Sequence, residues 1–248
     1  GPGKAYFRRA LSLWVSGMEV PAMERYSNLA IIHFKKYPND QQLGVAYRDL
    51  GYSKWGQSSF REAIDAMQTC LQLYIKAGDT ADIGSIYNIL GAIEAERGYY
   101  GNALQYLLKG IGFNQESNYG DLGLLYMLVG DFETALEYLR KSLVTSKYAN
   151  LSIGEVFFNE KKYDSALHYY RQFQQYATTS GYNDICKGYA RRGELYLVLH
   201  QYDSALIYLQ NALYPFKKAN DRNQVMWVLL RLGRAYKEMG HFMTALHV

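Results

Sequence analysis

Five histidines, His33, His168, His200, His241 and His247, are the first side chains to weigh for chemistry. Imidazole serves both proton transfer and metal ligation near neutral pH. Their spacing supports neither, with no H-E-x-x-H and no His/Cys pattern of a metal site. No G-x-S-x-G elbow and no Cys/His pair offers a nucleophile. Glu94 with Glu96, and Glu133 with Glu137, stand at helical surface spacing and are expected on solvated faces rather than as an acid–base pair. Cys70 and Cys186 are separated by many helices and cannot reach the ~7 Å that a disulfide requires. Cys70 reads as a buried core thiol. The reading is therefore non-enzymatic, with no metal and no cofactor. What remains is recognition chemistry: forked hydrogen bonds from arginine and rigid contact area from aromatic rings.

Recognition residues need a scaffold, and the chain supplies one by repeating itself. A Gly and an Ala twelve residues apart recur at Gly51/Ala63, Gly91/Ala103, Gly123/Ala135, Gly154/Ala166, Gly193/Ala205 and Gly233/Ala245. Three places before each Ala stands a ring: Phe60, Tyr100, Phe132, Tyr163, Tyr202 or Phe242. Residues three and four apart share a helix face, so Tyr189, Gly193 and Tyr196 make one stripe, and Tyr202, Ala205, Leu209 and Leu213 make another. Two helices that meet through Gly and Ala approach closely while the flanking rings fill the space. That contact explains a glycine costing roughly 1 kcal/mol in helix propensity. No glycine of the set is then free to cradle a phosphate.

These residues resemble the tetratricopeptide repeat, whose pattern is W-x2-L-G-x2-Y, then A-x3-F, then P. L-G stands at Leu50-Gly51, Leu90-Gly91, Leu122-Gly123 and Leu232-Gly233, with Ile153-Gly154 and Arg192-Gly193 as variants. The closing Pro is missing, although Pro38 and Pro215 lie near its place, and the Gly-to-Gly spacings run 40, 32, 31, 39 and 40. The longer spacings predict second helices extended by a turn or more. The resemblance implies an all-α, right-handed superhelical solenoid of antiparallel helix pairs, about seven units with the last one truncated. It also implies a concave groove lined by the first helices. Carried over by position, the groove residues are Arg48, Tyr52 and Trp55; Asn88 and Glu96; Tyr148, Glu155 and Phe158; Lys187 and Glu194; and Trp227, Arg234, Lys237 and Glu238. Arg191 and Arg231, one place over, are expected to reach it. The implied partner is an extended or helical peptide of another protein. For Trp55, Phe158 and Trp227, packing between repeats stands beside that expectation. The carboxylate clamp of chaperone-binding members is not matched, since Arg48 and Tyr52, then Ser117 and Asp121, stand at its places.

The 248 residues are 49% hydrophobic and 20% charged, and the repeat favours one array over 4–248. Gly1-Pro2-Gly3 reads as a cloning remnant. Residues 4–40 form a degenerate first unit in which Ala10 and Ala22 take the Gly and Ala places, with Pro21 opening its second helix. Basic residues occur as scattered pairs, Arg8-Arg9, Lys35-Lys36, Lys161-Lys162, Arg191-Arg192 and Lys217-Lys218, within a net charge of +4. Neither a nucleic-acid interface nor a polybasic membrane patch is expected from them, and no stretch approaches the ~18 apolar residues of a membrane span. The sixth strong unit stops three residues past Ala245, so the natural protein is expected to continue. Homodimerisation through that unit is a further hypothesis. Units of roughly forty residues and 25 tyrosines look like the N-terminal sensory region of bacterial repeat-containing sensor kinases or transcriptional regulators. Such a region would be periplasmic or cytoplasmic, according to its neighbouring segments. A stand-alone assembly scaffold is the alternative.

Overall fold

The computed structural model describes residues 20–78, 82–113, 119–146, 148–177, 182–218 and 221–241, and every regular element among them is helical. In chain order these are α1 (Val20–Lys36), α2 (Asp40–Gly56), α3 (Phe60–Ala77), α4 (Ile83–Glu96), α5 (Tyr100–Ile111), α6 (Tyr119–Leu128), α7 (Phe132–Lys141), a 3-10 turn (Ser142–Val144), α8 (Ala149–Asn159), α9 (Tyr163–Ala177), α10 (Tyr182–Val198), α11 (Tyr202–Lys218) and α12 (Arg222–Glu238). The ring expected three places before each Ala is the first residue of the second helix in α3, α5, α7, α9 and α11. Two compact units result, Gly1–Gly130 and Asp131–Val248.

Within the first unit, α3 turns Ala63, Met67, Cys70 and Tyr74 inward, all at 0% exposure, against Ile83, Ile86, Leu90 and Ile93 of α4. In the second, Leu209, Ala212 and Phe216 of α11 pack on Cys186 and Ala190 of α10 and on Val228 and Leu232 of α12. The helix glycines sit where a side chain has no room. A Cβ on Gly51 would lie 2.7 Å from Met67, on Gly91 2.8 Å from Leu107, on Gly154 2.5 Å from Tyr170 and on Gly193 2.7 Å from Leu209. Each obstructing residue lies one turn beyond the Ala of its pair. The Ala itself serves a second contact, because Ala205 packs with Leu197 of its own unit and Ala235 of the next.

The turn inside each pair repeats as faithfully as the helices. Seven places after the Gly, the backbone is left-handed at Ser58, Gly98, Gly130, Lys161, His200 and Gly240, with φ between 59° and 84°. The next residue then donates its N–H back to a carbonyl five residues earlier: Ser59 to Lys54, Tyr99 to Glu94, Lys162 to Phe157, Gln201 to Tyr196 and His241 to Tyr236, at 2.8–2.9 Å. This is the Schellman closure of a helix C-terminus. Three of the six units make it without glycine.

Helix lengths follow the spacings. The second helix has 18 residues in α3 and 17 in α11, against 12 in α5 and 10 in α7. Two expectations are corrected. In the degenerate unit the Ala place belongs to Met23, not Ala22: Met23, Ser27, Ala30 and Phe34 are buried, forty residues before Ala63, Met67, Cys70 and Tyr74, while Ala22 is only half-buried. Pro215, near the place of the missing closing Pro, lies buried inside α11. Glu94 is not solvated; it is 5% exposed and paired with Arg97 at 2.9 Å. Ala10, Phe242, Ala245, His247 and the cloning remnant lie outside the described residues.

Candidate peptide-binding site

First helices supply the candidate residues, and their spacing gives each helix one polar-aromatic stripe. Arg48, Tyr52 and Trp55 on α2, Lys187, Arg191 and Glu194 on α10, and Trp227, Arg231 and Arg234 on α12 all follow an i, i+4, i+7 step. The stripe is therefore set by helix geometry, while its contacts cross from one helix to the next.

In the first unit, Trp55 stacks on Tyr52 with ring centroids 6.5 Å apart, and its indole N–H donates to Glu96 Oε2 of α4 at 2.6 Å. Asn88 of α4 donates to Asp121 Oδ2 of α6 at 2.5 Å. Burial pushes the Asp121 carboxyl above its usual range against that hydrogen bond. Arg48 Nε stands 3.6 Å from Asp49, whose carboxyl is pushed up to about 6 by burial despite the neighbouring guanidinium. Burial works against the Arg48 charge, yet neighbouring groups, Asp49 among them, hold its pKa above the ordinary value.

The second unit joins Glu155, Arg191, Glu194, Trp227 and Arg231 into a ladder across α8, α10 and α12. Arg191 Nε lies 2.8 Å from Glu155 Oε1, and Arg191 Nη1 donates to Glu194 Oε2 at 3.1 Å. The other oxygen of Glu194 accepts from Arg231 Nε at 2.9 Å and from Nη2 at 2.6 Å. Both guanidinium groups lie over the Trp227 ring, 5.2 Å away for Arg191 and 3.4 Å for Arg231. Burial pushes the Glu155 carboxyl up, opposed by Arg191 and aided by repulsion from Glu194. Burial also disfavours charge on Arg191, but Glu155 and Glu194 outweigh it and hold the guanidinium above its ordinary value. Beside the ladder, the Tyr148 hydroxyl donates to Asp184 Oδ1 at 2.5 Å, and Lys187 lies 4.8 Å from the Tyr148 ring.

Not every candidate joins. Phe158 packs with the core around Leu151 and meets Tyr163 edge-on at 5.9 Å. Arg234, Lys237 and Glu238 are exposed on α12. Trp55 and Trp227 do both jobs, each packing on a core cluster while carrying a polar or cationic contact. Asp49, Asp121 and Asp184 were missed by position alone; each is a half-buried or buried acid on a first helix, a sequence signal only once the partner helix is known. Among the described residues no cluster of three His, Cys, Asp or Glu could hold a metal ion, and no helix is long and apolar enough to cross a membrane. Cys70 and Cys186 form no disulfide and are buried, their thiols pushed up by burial to about 12 and about 11.

Comparison with known proteins agrees with the helical fold. Residues 116–143 match the tetratricopeptide repeat family model. BBSome complex member BBS4 of Bos taurus is 28% identical over 167 residues, which is 65% of this chain and 30% of that protein. The chain thus spans less than a third of that relative. Among solved structures, the apo form of RapI aligns with a TM-score of 0.71 at 13% identity, covering 100% of this chain and 94% of RapI. The APC/C hetero-tetramer Cut9-Hcn1 aligns at 0.70 and 17% identity over 94% of this chain and 42% of the matched one. Pseudomonas aeruginosa PilF aligns at 0.60 and 19% identity, covering 90% and 95%. At such identities these likenesses speak for the fold. The matched repeat at 116–143, the recurring Gly/Ala contact and the shared architecture give this chain a tetratricopeptide-repeat-like fold of helix pairs.

Proposed function

We propose that this protein is a non-enzymatic scaffold that holds a peptide segment of a protein partner along its first-helix stripes. The observation that carries the reading is the ladder Glu155–Arg191–Glu194–Arg231 on Trp227. Its guanidinium groups and ring are held in place before any ligand arrives, so binding immobilises few additional rotamers. Arg and Trp are also the types that dominate interface energetics. The assembly reading is favoured because two of the similar proteins, the BBSome complex member and the Cut9-Hcn1 hetero-tetramer, are by name parts of multiprotein complexes. An input region of a bacterial signalling protein is the second reading, supported by the roughly forty-residue units and the 25 tyrosines.

Capture from native lysate with the wild type and an Arg48→Glu/Arg191→Glu variant tests the stripe. Loss of specific partners from the variant, with its circular dichroism unchanged, supports the assignment; partners kept equally by both remove it. Subunits of one complex among those lost favour the scaffold, and a kinase or DNA-binding regulator favours the signalling reading. A homodimer through the sixth unit is a separate arrangement, suggested by Met226 and Leu230 at 63% and 68% exposure on α12. Light scattering that shows only monomer at high concentration removes it.

A further inference from the structure

Arg192 stands where the repeat wants a core aliphatic residue. The residue before the helix glycine is Leu90, Leu122, Ile153 or Leu232 in four other units, at 0, 0, 0 and 3% exposure, and the half-buried Leu50 in the first. In the fifth strong unit the same place holds a guanidinium. Arg192 lies over the Tyr208 ring at 4.1 Å, donates from Nη2 to the Tyr208 hydroxyl at 2.5 Å and donates from Nη1 to Gln174 Oε1. Its Nε is buried with no hydrogen-bond partner. All of its partners are neutral, and among the described residues no carboxylate comes within ion-pair distance of it. A charge at a core position without a counterion is costly, and so is a buried donor left unpaired.

The place is not sealed. A hollow of about 320 Å³ opens beside the guanidinium, lined by Arg171, Gln174 and Gln175 of α9 and by Arg192. Arg171 is exposed on the helix turn before Gln174 and Gln175, and it too has no carboxylate partner among the described residues. The lining is thus two guanidinium groups and two amides, with no acid. The volume is at the small end of ligand pockets. Forked N–H groups of this kind match the geometry of a carboxylate or a phosphate. The Arg191 ladder is a different site on α10, since neighbouring residues point about 100° apart around a helix.

We propose that this hollow binds a small oxyanion, a phosphate or carboxylate group held between Arg192 and Arg171 with the Gln174 and Gln175 amides beside it. The bound anion supplies the counter-charge that the repeat position lacks. The residue departs from the repeat because the site needs it, not because the helix pair does.

The test titrates the protein with sodium phosphate and, separately, sodium succinate, each against sodium chloride of equal ionic strength, and follows the melting midpoint. Wild type, Arg192→Leu and Arg171→Gln are compared. Arg192→Leu restores the aliphatic type found in the other units and should fold at least as well as wild type. A wild-type midpoint raised by about 2–4 °C beyond the chloride control, absent in Arg192→Leu and reduced in Arg171→Gln, is the expected result. A response to phosphate alone assigns a phosphate group, to succinate alone a carboxylate, and to both a general oxyanion site. No response to either at 20 mM, or an equal response in wild type and Arg192→Leu, overturns the proposal (the concentration being about fourfold above a Kd of ~5 mM). Should Arg192→Leu fail to fold, the Arg192 Nε–H resonance of the wild type decides: a shift on titration supports the site, and an unmoved signal overturns it.

Discussion

Asp49 shows what a partly hidden charge does to this fold at the scale of one residue. Its carboxyl is pushed from 3.8 to about 6, so the folded protein holds that proton more tightly than the unfolded chain. The contribution to stability is full below about pH 4 and is lost as pH rises through about 6, a change of roughly 2–3 kcal/mol. Asp121 and Glu155 are raised in the same sense, so the diagnostic is a difference. Urea unfolding of wild type and Asp49→Asn between pH 4 and pH 8 should show the wild type declining more steeply; parallel curves would assign the slope elsewhere. Glu194 gives the complementary case, a carboxylate shared by Arg191 and Arg231. Its side chain is 17% exposed and that of Arg231 26%, beyond the range of a fully solvated pair. A double-mutant cycle on Glu194→Ala and Arg231→Ala should return a coupling of about 1 kcal/mol. Additivity of the two single changes would mean the pair contributes nothing.

At the scale of the helix, packing decides what a methyl group does. Gly91 and Gly101 belong to one pair, α4 and α5. A Cβ on Gly91 would strike the buried Leu107 at 2.8 Å, while one on Gly101 meets nothing within 4 Å. Gly101→Ala should stabilise by about 0.5–1 kcal/mol, and Gly91→Ala should destabilise by about 1–3 kcal/mol. Thermal denaturation showing the same sign for both would contradict the close approach. Lys161, held at φ 60° in an exposed turn, should gain about 0.5–1 kcal/mol on Lys161→Gly, in chemical denaturation. The repeated turn bears on what the sequence made legible. Gly98, Gly130 and Gly240 mark it in three units, but Ser58, Lys161 and His200 hide it in the others, because the closing hydrogen bond holds the backbone there without glycine. The helix pairs and their lengths were legible, since one helix's geometry imposes their period. Contacts such as Trp55 to Glu96 and Arg191 to Glu155 were not, because they depend on how a helix of one repeat is turned toward the next. The one-residue error at Ala22 has the same root: Met23 fills a place that elsewhere takes alanine, and only burial reveals it.

For the whole molecule, unequal repeats imply unequal local stability. In repeat arrays each unit is stabilised by its neighbours, so a unit with short helices has less to hold it. The helices α6 and α7 have 10 residues each and bury three and two of them, whereas α3 has 18 and buries six. Hydrogen exchange should therefore release the amides of α6 and α7 well before those of α3 and α11. Uniform protection along the chain would mean that the molecule opens only all at once. The two cysteines make the same question accessible to a simpler probe. Cys70 lies in the first compact unit and Cys186 in the second, both at 0% exposure and both deprived of thiolate character by burial. Nature has left one silent chemical clock in each half of the chain: an alkylating reagent starts neither until that half loosens, and the order in which the two sulfurs are marked records which half gave way first.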